Sequence, residues 1–255
     1  MAVKIVRQPK KIALIGAPSS AAAFSAGSEK APAALRAAGL EAKLQGVGYE
    51  VVDYGDCAPR LFANDDEHRR ARNLTEIVAG LNDLKTRAEL AVKSGALVLV
   101  LGGDCAQAIG LLTGARRYYK HVNLLWFDRD ADLNTPASTP SGRIDGMVVA
   151  HIIGKGAPEL VRFWSEAPLV REPDVTLCPC SSARRRPRIR SPLRYRCHRG
   201  GRLPRGERAW WGRIALRRCS RIIHGVCETQ ESAESRCGAV QSRQRSRRQR
   251  RKEAR

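Results

Sequence analysis

No apolar run in this sequence approaches the roughly 18 residues that a membrane-spanning helix needs, which excludes the simplest class of integral membrane protein. The N-terminus, MAVKIVRQPK, has no apolar h-region ahead of Lys10 and Lys11. No secretory signal is therefore expected, and the cytoplasm is the default compartment. In a reducing compartment the eight cysteines read as thiols rather than as a disulfide framework. The dinucleotide fingerprint G-x-G-x-x-G is missing, so Gly16 and the Gly102-Gly103 pair read as tight turns at strand ends. Internal repeats are absent, and no aspartate follows Asp174.

The charge is abundant but divided. Residues 181–255 carry 23 Arg and 1 Lys against 5 Glu, a net of +19, while the first 180 residues carry only about +2. An asymmetry of this size marks a separate tail or module, so we divide the chain into an α/β domain over 1–178 and an Arg-rich tail over 179–255.

Within the first part, hydrophobic periodicity alternates between strand and helix. IALIG (12–16) is a short buried strand closed by Gly-Ala-Pro, and a helix is expected from Pro32 through Leu35 and Leu40 toward Leu44. A second strand fits 49–54, and residues 59–69 read as a polar surface loop. The clearest helix covers 72–93, with Leu74, Ile77, Val78, Leu81, Leu84, Ala88 and Ala91 on one face. Lys93 in its last turn and Gly95 just beyond suit a helix C-terminus. ALVLVL (96–101) and VNLLWF (122–127) are continuous apolar runs, as in parallel strands covered on both faces, and a short helix over 106–116 separates them. This order predicts a parallel sheet with right-handed crossovers and helices on both faces, a three-layer α/β/α sandwich. The two long apolar strands are expected to be adjacent, with their polar ends, GGDC and DRDADLNTP, on one edge.

That edge carries the chemistry. Asp128, Asp130 and Asp132 crowd like charge behind a buried strand, and crowded carboxylates take up a proton or a cation. Oxygen donors suit hard divalent ions. An EF-hand starting at Asp128 would need Gly at its sixth position and Glu at its twelfth; Leu133 and Thr139 stand there, so that reading fails. An apolar strand followed by Asp-x-Asp also resembles the haloacid-dehalogenase-type phosphatases, although that motif usually opens its domain. His68, His121 and His151 read as surface or packing residues, and Cys57 as a small core residue.

Several ordered segments together resemble the arginase/agmatinase (ureohydrolase) family: IGAPSSAAAFSAGSEKAPAALRAAGL, VVDYGD, LVLGGDCAQAIG and LLWFDRDADLNTPASTPSGRIDGM, over roughly residues 11–178. The resemblance implies an arginase-type fold, incomplete at the C-terminus, and metal-dependent hydrolysis of C–N bonds in linear amidines or guanidino compounds. In that family two Mn²⁺ ions activate a water for attack on a guanidinium carbon. Matched position by position, Asp128 and Asp132 stand on two Asp ligands. Cys105 and Asp130 stand where His ligands are expected, and Asn134 and Ser141 stand where the substrate's carboxylate end is held. Asp145 stands where arginases carry a proton-shuttling His. The family's last metal motif, S-x-D-x-D-x-x-D-P, has no counterpart here, so at most one weakly held Mn²⁺ and an impaired activity are expected. A small guanidino or amidino substrate is the implied partner, with a homo-oligomer open as the assembly and no membrane.

The tail supports two readings. Clustered Arg over 184–190 and 243–251 gives salt-dependent, sequence-blind contact with nucleic-acid phosphates, the alternative function from another class. Excess Arg, Cys, Ser, Gly and Pro without Asp is also what a GC-rich gene yields when read out of frame, and such a tail is expected to be disordered. Cys219, His224 and Cys227 match no familiar zinc-finger spacing.

Overall fold

The computed structural model describes residue 6 and residues 8–179. The tail, with its expectations of disorder, nucleic-acid contact and zinc, lies outside the described residues.

Among the described residues five strands alternate with helices: β1 (Lys11–Ala17), α1 (Ala31–Ala37), α2 (Leu40–Gly46), β2 (Glu50–Asp56), α3 (Leu74–Lys93), β3 (Leu97–Gly102), α4 (Gln107–Arg116), β4 (Leu124–Asp128), α5 (Val148–Ile152), α6 (Pro158–Val161) and β5 (Val175–Pro179). All pairings are parallel. β1 is central to a three-stranded sheet of order β2-β1-β3, where Ile12 pairs with Val51 on one side and Leu97 on the other. β4 and β5 form a second ladder, from Leu124–Val175 to Asp128–Pro179.

The alternation of β1 builds three layers. Ala13, Ile15 and Ala17 pack with Leu84, Ala88 and Ala91 of α3, while Ile12 and Leu14 face Leu40 and Leu44 of α2. A larger core joins Ile77 and Leu81 of α3, Ile109 of α4, Leu124 of β4, Val148 and Ile152 of α5, and Val175 and Leu177 of β5. Each fully buried Leu or Ile of this kind contributes about 1.5–3 kcal/mol. α3 and α4 meet closely because Gly110 and Gly114 lie one turn apart on α4. A Cβ at Gly114 would come within 2.7 Å of the Ala88 Cβ and 2.9 Å of the Lys85 carbonyl oxygen. That tight seam fixes the start of α4, directly after the GGDC turn.

Three expectations are corrected. The single helix from Pro32 to Leu44 is broken in two, because Gly39 adopts a left-handed φ of 75° that no continuous α-helix accommodates. β3 and β4 are not paired: β3 bonds to β1, and β4 bonds to β5. Nor is β4 covered on both faces, since Leu125 and Phe127 are 51% and 62% exposed while Leu124 is buried. Among the described residues no helix is long and apolar enough to cross a membrane.

Candidate metal centre

The site is assembled by three loops at the carboxyl ends of parallel strands. The GGDC turn follows β3, and the loop after β1 lies across it. At Gly103 a Cβ would fall 2.5 Å from the Ala17 carbonyl oxygen and 2.7 Å from that of Ser19, so only glycine lets the two backbones touch. Asp104 then locks them together. Its carboxylate accepts from Ser19 Oγ (2.6 Å), the Ala22 amide (3.2 Å) and Gln107 Nε2 (3.1 Å). Asp104 is buried and fully partnered, as a buried carboxylate must be. Its Asp-to-loop role was not read from the sequence; its place inside GGDC was the available signal.

Cys105 comes next, with its amide held by Asp145 Oδ1 at 2.8 Å and its Sγ 3.7 Å from Asp128 Oδ2. Asp128 ends β4, and its other oxygen accepts the Asp130 amide (3.0 Å). Asp132 is buried and adopts a left-handed φ of 48°, uncommon for a residue with a side chain. Trp126 Nε1 donates to Asp132 Oδ2 at 3.1 Å, a contact that sequence reasoning missed. Ligand atoms of Cys105, Asp128 and Asp132 all lie within 4.8 Å of one another.

Asp130 does not join them. Expected as a ligand, Asp130 lies outside this cluster in the structure: its side chain is 63% exposed and paired with Arg129 at 2.9 Å. Every second residue of this segment points the same way only while the chain stays extended, and it leaves the strand at Asp128. Asn134 is exposed, with its amide bonded to the Gly146 carbonyl (3.3 Å). Ser141 is half-buried and its Oγ accepts the Arg143 amide (3.2 Å). Asp145 is occupied with the Cys105 amide.

The loop that carries Ser141 and Asp145 is clamped by the segment preceding α3. Arg72 Nε donates to the Ser141 carbonyl (3.0 Å) and its Nη1 to the Asp65 carbonyl (2.7 Å). Arg143 is buried, donates to the Ala63 carbonyl (3.0 Å) and lies over the Phe62 ring at 4.4 Å. Gly142 has a φ of 71°, and a Cβ there would collide with the Arg69 carbonyl.

Electrostatically the cluster is unfavourable on its own. Burial, then the Asp128 carboxylate, pushes the Asp132 carboxyl up to about 7. Burial also raises Asp145. The Cys105 thiol is driven well above its ordinary range by burial and then by Asp145, Asp128 and Asp132. A thiol and two carboxylates crowded in this way form a donor set that a divalent cation relieves, so the residues fit such an ion. His151 is a buried packing residue whose Nδ1 meets the Met147 carbonyl (2.7 Å), and Cys57 is buried in the core.

The chain matches known proteins over most of its described residues. Residues 10–176 match the profile of the arginase family. The chain is 34% identical to the arginase of Bacillus caldovelox over 172 residues, covering 66% of this chain and 57% of the relative. It is 36% identical to arginase-1 of Rattus norvegicus over 171 residues, 66% of this chain and 53% of that one. The solved B. caldovelox arginase superposes with a TM-score of 0.59 at 31% identity, covering 66% of this chain and 57% of that structure. The arginase of Entamoeba histolytica, solved with L-ornithine, gives 0.59 at 26% identity over 67% and 57%. The chain spans little more than half the length of the curated relatives it matches. Its fold is the parallel α/β/α fold of those structures, and the chain belongs to the arginase family.

Proposed function

We propose that this chain carries one side of a ureohydrolase centre, directed at the C–N bond of a linear amidine or guanidino compound. The observation that carries the reading is the convergence of Cys105, Asp128 and Asp132 within 4.8 Å, at the carboxyl ends of parallel strands in an arginase-family domain. Cys105 Sγ and one oxygen of each carboxylate would hold a divalent cation, Mn²⁺ being the ion that the family resemblance implies. A cation bound there would supply Lewis-acid activation of water.

The chain's own residues supply orientation. The Asp130 amide fixes one oxygen of Asp128 and leaves the other facing Cys105. Trp126 holds Asp132. Asp145 keeps the Cys105 backbone in place, so its role is positioning of a ligand ahead of proton transfer. Asn134 and Ser141, on the loop braced by Arg72, are the residues that would hold the substrate's carboxylate end. Asp130, tied to Arg129, is not free beside Asp128, which favours this reading over a phosphatase using an Asp-x-Asp pair. The test is cation binding by the full chain, wild type against Asp132→Asn, with urea release measured in parallel. Binding that is lost in the variant supports the site; equal binding by both removes it.

A further inference from the structure

We propose that Cys105 is a direct thiolate ligand and that it shifts this centre from hard cations toward thiophilic ones, Zn²⁺ and Co²⁺. The inference rests on the reading that the cluster holds a cation, and it specifies which kind.

Three observations carry it. The first is spacing. In a tetrahedral site with a metal–sulfur distance of about 2.3 Å and a metal–oxygen distance of about 2.1 Å, sulfur and oxygen lie roughly 3.5 Å apart. Cys105 Sγ and Asp128 Oδ2 lie 3.7 Å apart. The second is donor number. With Asp130 turned out to Arg129, the loop offers two carboxylates and the turn offers one sulfur. The three protein donors that the described residues bring together, with a position left open, match the pattern of catalytic zinc sites, whereas Mn²⁺ and Mg²⁺ favour six oxygen-rich positions. The third is rigidity. The Cys105 amide is bonded to Asp145 and the preceding Asp104 is locked by three hydrogen bonds, so the sulfur is held facing the carboxylates.

Zn²⁺ outcompetes Mn²⁺ at most sites, so a preference for zinc alone says nothing; the change in preference on removing sulfur is informative. The experiment uses the full chain kept reduced by a phosphine. Co²⁺ is titrated while the near-ultraviolet sulfur-to-cobalt band is recorded, and Zn²⁺ and Mn²⁺ affinities are measured by competition. Wild type is compared with Cys105→Ser, Cys105→Asp and Asp132→Asn, the other seven cysteines forming a background common to all four.

The expected result is a Co²⁺ band in wild type that is lost in Cys105→Ser. The Zn²⁺/Mn²⁺ affinity ratio should fall at least about tenfold in the all-oxygen Cys105→Asp site. Asp132→Asn, which keeps the thiol and removes its partner, should lose the band too, and it decides the matter if circular dichroism shows the Cys105 variants unfolded. Cation binding with no Cys105-dependent band, or an unchanged ratio in Cys105→Asp, overturns thiolate ligation while leaving the cation site standing. Binding of none of the three ions by wild type overturns both.

Discussion

The adjacent glycines Gly102 and Gly103 offer a controlled test of how the site is built, because they differ in one respect. At Gly102 an added Cβ meets nothing within 4 Å. At Gly103 it would lie 2.5 Å and 2.7 Å from the Ala17 and Ser19 carbonyl oxygens and 2.8 Å from the Ser19 nitrogen. These are backbone atoms and cannot swing aside. Forcing the loops apart costs about 1–3 kcal/mol as overpacking. Separation of Ser19 from Asp104 adds about 1–2 kcal/mol for a buried hydrogen bond to a charged group. Gly103→Ala should therefore destabilise by about 2–5 kcal/mol, and a domain of this size loses about 2–4 °C per kcal/mol. Gly102→Ala should fall within about 1 kcal/mol of wild type, since alanine reduces the freedom of the unfolded chain. Urea denaturation of both variants, followed by circular dichroism, measures the difference. A cation titration should show weaker binding for Gly103→Ala. If the two variants lose equal stability, the close approach of the β1 and β3 loops does not support the site as argued.

Asp132, whose carboxyl is raised to about 7, holds a proton in the native state that the unfolded chain releases near pH 4. Its contribution to stability is therefore complete below about pH 4 and is lost as pH rises toward 7, so the metal-free chain should weaken over that window. Asp132→Asn should flatten that part of the profile, and a profile unchanged by the substitution contradicts the assignment. Arg72→Ala should cost about 1–3 kcal/mol, because it strips the Ser141 and Asp65 carbonyls of their donor, and thermal melts would show this. Leu84→Ala, at a fully buried position between β1 and α4, should cost about 2–5 kcal/mol by denaturant unfolding; a loss under about 1 kcal/mol would mean that this core is not packed as described.

The elements with strong periodicity were legible in the sequence. α3 starts within two residues of its expected position, α4 lies within the expected 106–116, and β1, β3 and β4 fall where apolar runs end in glycine or aspartate. What a run of apolar residues cannot encode is its neighbour. ALVLVL and VNLLWF announced burial, yet whether they touch each other depends on pairing with β1 and β5. β5 itself, VTLCP, is five residues long and borders the change in composition, so no periodicity marked it. Asp128 and Asp132 stood out because their spacing behind a strand is unusual, and the structure brings their carboxylates together. Asp130 looked equivalent because sequence spacing is blind to the left-handed turn at Asp132 that separates them. Trp126, Arg72 and Arg143 act through tertiary contacts across 6 to 80 residues, and such contacts leave no local pattern.

The most direct test of the central claim is a count of bound cations on the full chain. Equilibrium dialysis against Mn²⁺ followed by elemental analysis should find at most one ion per chain, weakly held and lost in Asp132→Asn. Urea release from arginine and agmatine under the same conditions should be little or none, because the two-ion centre of the family needs carboxylates from both sides and no aspartate follows Asp174. Two tightly bound Mn²⁺ per chain, with turnover in the ordinary enzyme range of about 1–10³ s⁻¹, would contradict it.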